Sequence, residues 1–198
     1  MIYTFIAYAP GEFAMDLGRC YNEFMALLPA DDDWACFIDH DAMFTTRDWY
    51  AQLTRVVSRH PDAGCFTAMT NRIGNPAQVH GAGRRRGAAP NANHDIQHHR
   101  RVGARLRKQF DCAVVPLTER HLMSGVVMLT RKSVWKQIGF APGFLGVDGA
   151  YHRGCLRLGY EVYLMRGVYV YHWYRGDGDV SHVRRARTRA RARARKLS

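Results

Sequence analysis

The chain has 198 residues, of which 47% are hydrophobic and 12% aromatic, and its net charge is +12. Folding at this length buries about 70% of the surface of the unfolded chain, which excludes a wholly disordered protein and a disulfide-stapled miniprotein. The charge is uneven: residues 184–198 carry seven Arg, one Lys and no acid, whereas the rest holds 21 Lys and Arg against 17 Asp and Glu. We therefore predict one domain over residues 1–178 and a flexible, Arg-rich tail over residues 179–198.

The five cysteines are scattered along the chain, and no two of them form a C-x-x-C pair. This pattern argues against a structural zinc site and against a disulfide framework, and it fits a reducing compartment. The apolar residues 2–9 are too few to span a bilayer, and no basic segment precedes them. We therefore expect a cytoplasmic location.

Hydrophobic periodicity predicts strands and helices in alternation. Asp16 and Thr46 are the expected N-caps of the first two helices. The alternation is typical of an α/β domain with a mostly parallel central sheet, which is the fold class that we predict. The predicted elements are, in chain order, strand 2–8, helix 16–28, strand 34–38, helix 46–60, strand 64–69, helix 96–110, strand 123–130, helix 131–138, helix 147–158 and a last strand that ends at residue 172.

Asp39 and Asp41 directly follow the apolar strand 34–38 and are the sharpest chemical signal in the sequence. Because side chains alternate along a strand, both carboxylates are expected on one side and His40 on the other. Ligands of open α/β sheets bind beyond the carboxyl ends of the strands, where Mg²⁺ or Mn²⁺ would accept these oxygens. The alternative is a solvated acidic turn or a helix cap, because D-x-D triplets are common.

Two later residues have similar double interpretations. Asp148 lies in the first turn of the predicted helix 147–158. A carboxylate at this position is either a catalytic group or a cap that the helix dipole stabilises. His172 ends the last strand and is either a metal ligand or a buried core histidine.

Two other patterns are better explained by exposed polar residues than by a ligand site. His94 with His98, and Asp95 with His99, have the i, i+4 spacing of zinc ligands on a helix, but a solvated polar face is favoured. The three arginines at residues 84–86 suit a phosphate, but a mobile basic loop is favoured.

Four segments in this order resemble the GT-A-fold glycosyltransferases, in particular the family-2-like group. The segments are DDDWACFIDHDAMFTTRDWY, MSGVVMLTRKSVWKQIGF, FLGVDGAYHRGCLRLGY and VYVYHWYR, and the resemblance covers about residues 1–175. It implies a single GT-A-like (Rossmann-like) domain. Since only 38 residues precede Asp39, it also implies a shortened N-terminal half.

The resemblance implies a role for individual residues. Asp39 and Asp41 match the motif that binds a divalent metal, Mn²⁺ or Mg²⁺, and the nucleotide. His172 matches a histidine that completes the metal site, and Asp148 matches the carboxylate that deprotonates the acceptor hydroxyl. Contacts with the base and diphosphate are implied for Tyr8, Asp39 and Arg175, and contacts with the acceptor for Ser124, Gly125 and Trp173. Asn71 and Arg72 follow a predicted strand at the expected edge of the site, where they would contact the donor or the acceptor, and we predict the acceptor.

The implied function is metal-dependent transfer of a sugar from a nucleoside-diphosphate donor, a UDP-sugar above all, to a hydroxyl acceptor with inversion. The Gly-Val-Asp and His-Trp-Tyr-Arg segments are also similar to those of the retaining polypeptide GalNAc-transferases. Two alternatives stay open. One is a metal-dependent nucleotide-sugar hydrolase that uses the same residues. The other is a protein that binds nucleic acid, another polyanion or an anionic membrane surface through residues 184–198.

Overall fold

The computed structural model describes residues 1–7, 15–81 and 94–173, and these residues form an α/β domain with one mixed sheet. The strands are β1 (Ile2–Ile6), β2 (Trp34–Ile38), β3 (Ala42–Phe44), β4 (Ala63–Thr70), β5 (Val114–Pro116), β6 (Val127–Arg131) and β7 (Glu161–His172). The helices are α1 (Leu17–Ala26), α2 (Trp49–Arg59), α3 (Ile96–Phe110), α4 (Lys132–Ile138) and α5 (Val147–Arg157). The predicted α/β class is thus confirmed.

The strand order is β1-β2-β6-β4-β7-β3, and β5 pairs with the first half of β7 on the same edge as β3. Only β1–β2 and β4–β7 are parallel pairs, so the expectation of a mostly parallel sheet is corrected to a mixed sheet. The reason lies in β6, whose first residue, Val127, pairs with Ile38 at the end of β2. Because β6 enters the sheet at the edge where β2 leaves it, β6 runs antiparallel to its neighbour.

Alternating side chains of the central strands form two hydrophobic clusters on opposite faces of the sheet. Trp34 and Phe66 pack with Leu53 of α2 on one face. Phe37 packs with residues of α1, α4 and α5 on the other face, among them Tyr151. All five cysteines are buried and carry free thiols, and no described helix is long and apolar enough to cross a membrane.

Most element boundaries agree with the sequence-based prediction, with two exceptions. Asp16 does cap α1, since its Oδ1 accepts a hydrogen bond from the Arg19 N–H at 3.0 Å. Thr46 does not cap α2, which begins after Asp48. The preceding Thr45 is instead bound to β7, because its hydroxyl donates to the Tyr169 carbonyl at 2.8 Å.

The second exception is the predicted strand 123–130, whose first residues form a turn, so that β6 begins only at Val127. The backbone N–H groups of Met123 and Ser124 donate to the side chains of His152 and Gln78, at 3.0 Å and 2.7 Å, rather than to a neighbouring strand. This turn therefore lies beyond the end of β2, where it lines the site described below.

A bulge in β7 sets the position of its last residues. The β4–β7 register shifts between the Ala68–Met165 pair and the Met69–Tyr169 pair, which leaves residues 166–168 outside the ladder. A Cβ on Gly167 would lie 2.0 Å from the Asp111 carbonyl oxygen, so only glycine allows this close approach. A bulge redirects the part of the strand that follows it. Here that part is the end of β7, which reaches the candidate site at His172.

Candidate metal centre and catalytic carboxylate

Asp39, Asp41 and His172 form a compact cluster at the ends of β2 and β7. One possible ligand atom from each residue lies within 4.8 Å of the others. His172 Nε2 is 3.1 Å from Asp41 Oδ1 and 3.5 Å from Asp39 Oδ2. The short strand β3 brings them together, because it follows Asp41 directly and pairs Ala42 with His172.

The two carboxylates lie on a turn and not on the strand itself. β2 ends at Ile38, and the Asp39 carbonyl then accepts a hydrogen bond from the Ala42 N–H at 3.0 Å. Both carboxylates nevertheless face the His172 ring, whereas the side chain of His40 is exposed. The expected shared direction of Asp39 and Asp41 is observed, although strand alternation is not its cause.

Hydrogen bonding fixes the orientation of the His172 ring. Its Nδ1 is 2.9 Å from the Arg72 carbonyl oxygen, and a carbonyl can only accept, so the bond assigns the hydrogen to Nδ1. The other ring nitrogen, Nε2, therefore faces Asp39 and Asp41. A carbonyl partner on the far nitrogen is the usual arrangement behind a metal-binding histidine.

The electrostatics of the cluster also favour a cation. Burial raises the pKa of Asp39 to about 6, and the neighbouring Asp41 and Asp148 carboxylates add to the rise against the opposing effect of His172. Burial acts in the same direction on Asp41, but the hydrogen bond and charge of His172 outweigh it and hold the pKa of Asp41 below its ordinary value. A cation between the carboxylates would offset their repulsion.

Asp148 faces the cluster from the first turn of α5. Its Oδ2 accepts from the Gly125 N–H at 2.8 Å and its Oδ1 from the Gly149 N–H at 2.8 Å. A Cβ on Gly125 would lie 3.3 Å from the Asp148 Cβ, so the glycine allows the backbone to hold this carboxylate closely. Asp148, Asp39 and His172 line one cavity of about 440 Å³.

The buried side-chain amides of Asn71 and Gln78 hydrogen-bond to the backbone on two sides of this cavity. Asn71 Oδ1 accepts from the His172 N–H at 2.7 Å, and its Nδ2 donates to the His172 carbonyl at 3.1 Å. Gln78 makes the equivalent pair with Ser124, at 2.7 Å from the N–H and 3.0 Å to the carbonyl. The segment after β4 thus connects the metal cluster to the turn that carries Gly125.

Asn71→Ala is expected to lower the free energy of unfolding by about 3 kcal/mol, because it removes the side-chain hydrogen bonds to the buried backbone N–H and carbonyl of His172. It should also weaken Mn²⁺ binding by at least about tenfold, since His172 loses its support. Gln78→Ala is the matched control, because it removes an equally buried amide from Ser124. Urea unfolding and Mn²⁺ titration of both variants test the pair. Unchanged Mn²⁺ affinity in Asn71→Ala would contradict the positioning role.

The predicted contact residues differ in where the structure places them. Asn71 is 1% exposed and bound to His172, which gives it an internal positioning role, and its expected contact with an acceptor stays a prediction. Ser124 and Gly125 do line the cavity. Arg72 supplies the carbonyl that orients His172, and the backbone N–H of the exposed Trp173 donates to the Asp41 carbonyl at 2.9 Å. Tyr8, Arg175, residues 84–86 and the tail 179–198 lie outside the described residues.

His94, which precedes α3, and His99 within it contact tyrosines of β7. His94 Nδ1 is 2.7 Å from Tyr171 Oη, and His99 Nδ1 is 2.8 Å from Tyr169 Oη. Within residues 1–7, 15–81 and 94–173, the one group of His, Cys, Asp or Glu with metal-binding spacing is that around His172.

Sequence reasoning missed the apolar wall of the cavity. Tyr21 of α1 belongs to this wall, and so do Phe144 and Leu145, which are 47% and 64% exposed. Gly143 and Gly146 flank these two residues with φ of 123° and 81°, which favour glycine. The signal was present in the sequence, as two large apolar residues between glycines.

A comparison of this sequence with protein-family models finds no match, and a comparison with curated proteins finds none.

Proposed function

We propose that this chain is a metal-dependent glycosyltransferase with a GT-A-like domain. It transfers a sugar from a nucleoside-diphosphate donor, a UDP-sugar above all, to a hydroxyl acceptor. The observation that carries the proposal is one cavity lined by Asp39 and His172, which form a cluster with Asp41, and by the separate carboxylate of Asp148. The three side chains of the cluster are suited to bind a cation, and the carboxylate of Asp148 is suited to accept a proton.

The cluster fits Mn²⁺ or Mg²⁺, because it offers two carboxylates and an imidazole whose Nε2 faces them. The nitrogen ligand favours Mn²⁺, since Mg²⁺ prefers oxygen. A cation bound there supplies positive charge against the diphosphate leaving group. In this proposal Asp41 and His172 bind the cation directly, and Asp39 assists the cation and the ribose.

Asp148 is the proposed general base. One of its oxygens accepts the proton of the acceptor hydroxyl while that hydroxyl attacks the anomeric carbon. The Gly125 and Gly149 N–H groups hold the carboxylate in place for this step. Attack by the acceptor opposite the leaving group inverts the anomeric carbon. The five free thiols suit the cytoplasmic location that we propose.

Product analysis tests the reaction type. Incubation with a panel of nucleotide sugars and Mn²⁺ is expected to release nucleoside diphosphate faster when a hydroxyl acceptor is present, and proton NMR should show inverted configuration in the first-formed glycoside. Asp148→Asn serves as the control for catalysis at this site. Donor cleavage at one rate with every acceptor would contradict transfer and indicate a hydrolase. Retained configuration would contradict direct displacement.

A further inference from the structure

A basic groove lies on the opposite end of β3 from the metal cluster. It has a volume of about 780 Å³ and lies between α3 and the segment that joins β3 to α2. We call it the α3 groove, and its lining residues are Phe44, Thr45, Thr46, Arg47, Asp48, Trp49, Arg100, Ala104, Arg107 and Lys108. Four of these residues are cations and one is an acid.

The acid is already neutralised inside the groove. Asp48 Oδ2 accepts hydrogen bonds from Arg107 Nε at 3.1 Å and Arg107 Nη2 at 3.0 Å. Arg107 is in turn held by Asp111 at the end of α3. Among the described residues, Arg47, Arg100 and Lys108 are exposed and have no acidic partner. Their charge is therefore available to a ligand.

The spacing of these cations suits a polymer with repeated anionic groups. Arg100 and Lys108 both line the groove from α3, and residues eight apart in a helix are about 12 Å apart along its axis. Their backbone positions thus follow the length of the groove. Arg47 adds a third charge from the other side of the groove. A ligand with several anionic groups along its length matches this distribution of charge.

The aromatic side chains of the groove favour nucleic acid over an anionic sugar polymer. Trp49 and Phe44 stack with ring centroids 4.2 Å apart and an interplanar angle of 3°, and both rings are half-buried. Their remaining exposed parts line the groove beside the cations. Single-stranded nucleic acid combines a charged backbone with flat bases, and proteins bind it with basic grooves that carry aromatic side chains. Sugar polymers with carboxylates or sulfates have the charge but no flat bases.

We propose that the α3 groove binds single-stranded nucleic acid. The backbone phosphates contact Arg47, Arg100 and Lys108, and a base packs against the Trp49 side of the groove. This recognition has no sequence preference, because each contact is with a phosphate or with the face of a base. It depends neither on a metal nor on a nucleotide sugar, so it can fail or hold independently of the proposed sugar transfer.

The test is fluorescence anisotropy of the full chain with labelled oligothymidine of about 12 nucleotides. The variant Arg47→Ala/Arg100→Ala/Lys108→Ala is expected to bind at least tenfold more weakly than the parent chain. Its slope of log affinity against log salt should fall by about 2, at about 0.7 for each lost phosphate contact. Residues 184–198 are present in every variant, so the comparison reports the groove alone.

A control with equal charge removes the effect of net charge. The exposed Arg120, Arg153 and Arg157 lie outside the groove, and their triple replacement by Ala should change the affinity by less than threefold. Trp49→Leu should weaken binding about tenfold, and Trp49→Phe, which keeps an aromatic ring, should stay within threefold of the parent chain. Thermal unfolding checks that each variant is folded.

Four results would overturn the proposal. They are absence of oligothymidine binding, equal losses in the two triple variants, unchanged binding in a folded Trp49→Leu variant, and tighter binding of a sulfated polysaccharide through the same three cations. The last result would assign the groove to an anionic glycan.

Discussion

Asp41→Ala is expected to reduce the affinity for Mn²⁺ by at least about 100-fold, because it removes one of three side chains in the proposed cation site. Asp41 is the carboxylate nearest to His172 Nε2, at 3.1 Å, and its lowered pKa keeps it ionised at neutral pH. The fold should tolerate the change, since the loss of Asp41 also relieves its repulsion with Asp39. Isothermal titration with Mn²⁺ measures the effect.

Asp32→Ala is the matched control for this loss of one negative charge. Asp32 is exposed on the turn before β2, away from the cavity. Its replacement should leave the Mn²⁺ affinity within twofold of the parent chain. If Asp32→Ala and Asp41→Ala lowered the affinity equally, Mn²⁺ would be responding to net charge and the proposed ligand set would be wrong.

Asp148→Asn is expected to have the opposite profile, with metal and donor binding retained and turnover lowered by about 100-fold to 10,000-fold. The amide oxygen can still accept the Gly125 N–H, so the turn that carries Gly125 keeps its shape. The amide nitrogen cannot accept the Gly149 N–H, but that group lies in the first turn of α5, where backbone N–H groups have no helical partner. The amide cannot accept the proton of an acceptor hydroxyl. Steady-state kinetics at saturating donor and acceptor separate the two effects, because a lost base lowers kcat while the donor Kd is unchanged.

Substantial turnover in Asp148→Asn would remove Asp148 from the role of base. A loss of donor affinity equal to the loss of kcat would instead place it among the binding groups. Asp41→Ala and Asp148→Asn together distinguish the residues that bind the cation from the residue that accepts the proton.

The sequence predicted the long elements well because their periodicity is strong. Helix α3 has the predicted bounds, and β2 is a continuous apolar segment whose five residues are all buried. The three-residue strands β3 and β5 were missed, because so few residues establish no periodicity. The direction of β6 was also missed, since hydrophobic patterns do not tell which way a strand enters a sheet.

The candidate site was predictable where chemistry lies in a motif, and less so where it depends on folding. Asp39 and Asp41 are close in sequence, so their meeting follows from local geometry. Their meeting with His172, more than 130 residues later in the sequence, depends on β3 and on the bulge in β7. The roles of Asn71 and Gln78 were not predictable, because nothing in an isolated amide says which backbone it will bind.

The most direct test of the central claim is a thermal-shift panel on the full chain with Mn²⁺ or Mg²⁺, alone and then with UDP, GDP, dTDP, CDP or ADP. The proposal predicts that one nucleotide raises Tm only when the metal is present. At 100 times its Kd, that nucleotide should add about 2.7 kcal/mol, a rise of about 5–10 °C for a domain of this size. The rise should disappear in Asp41→Ala and persist in Asp148→Asn. Absence of any metal-dependent nucleotide shift in the folded parent chain would contradict the proposed donor site.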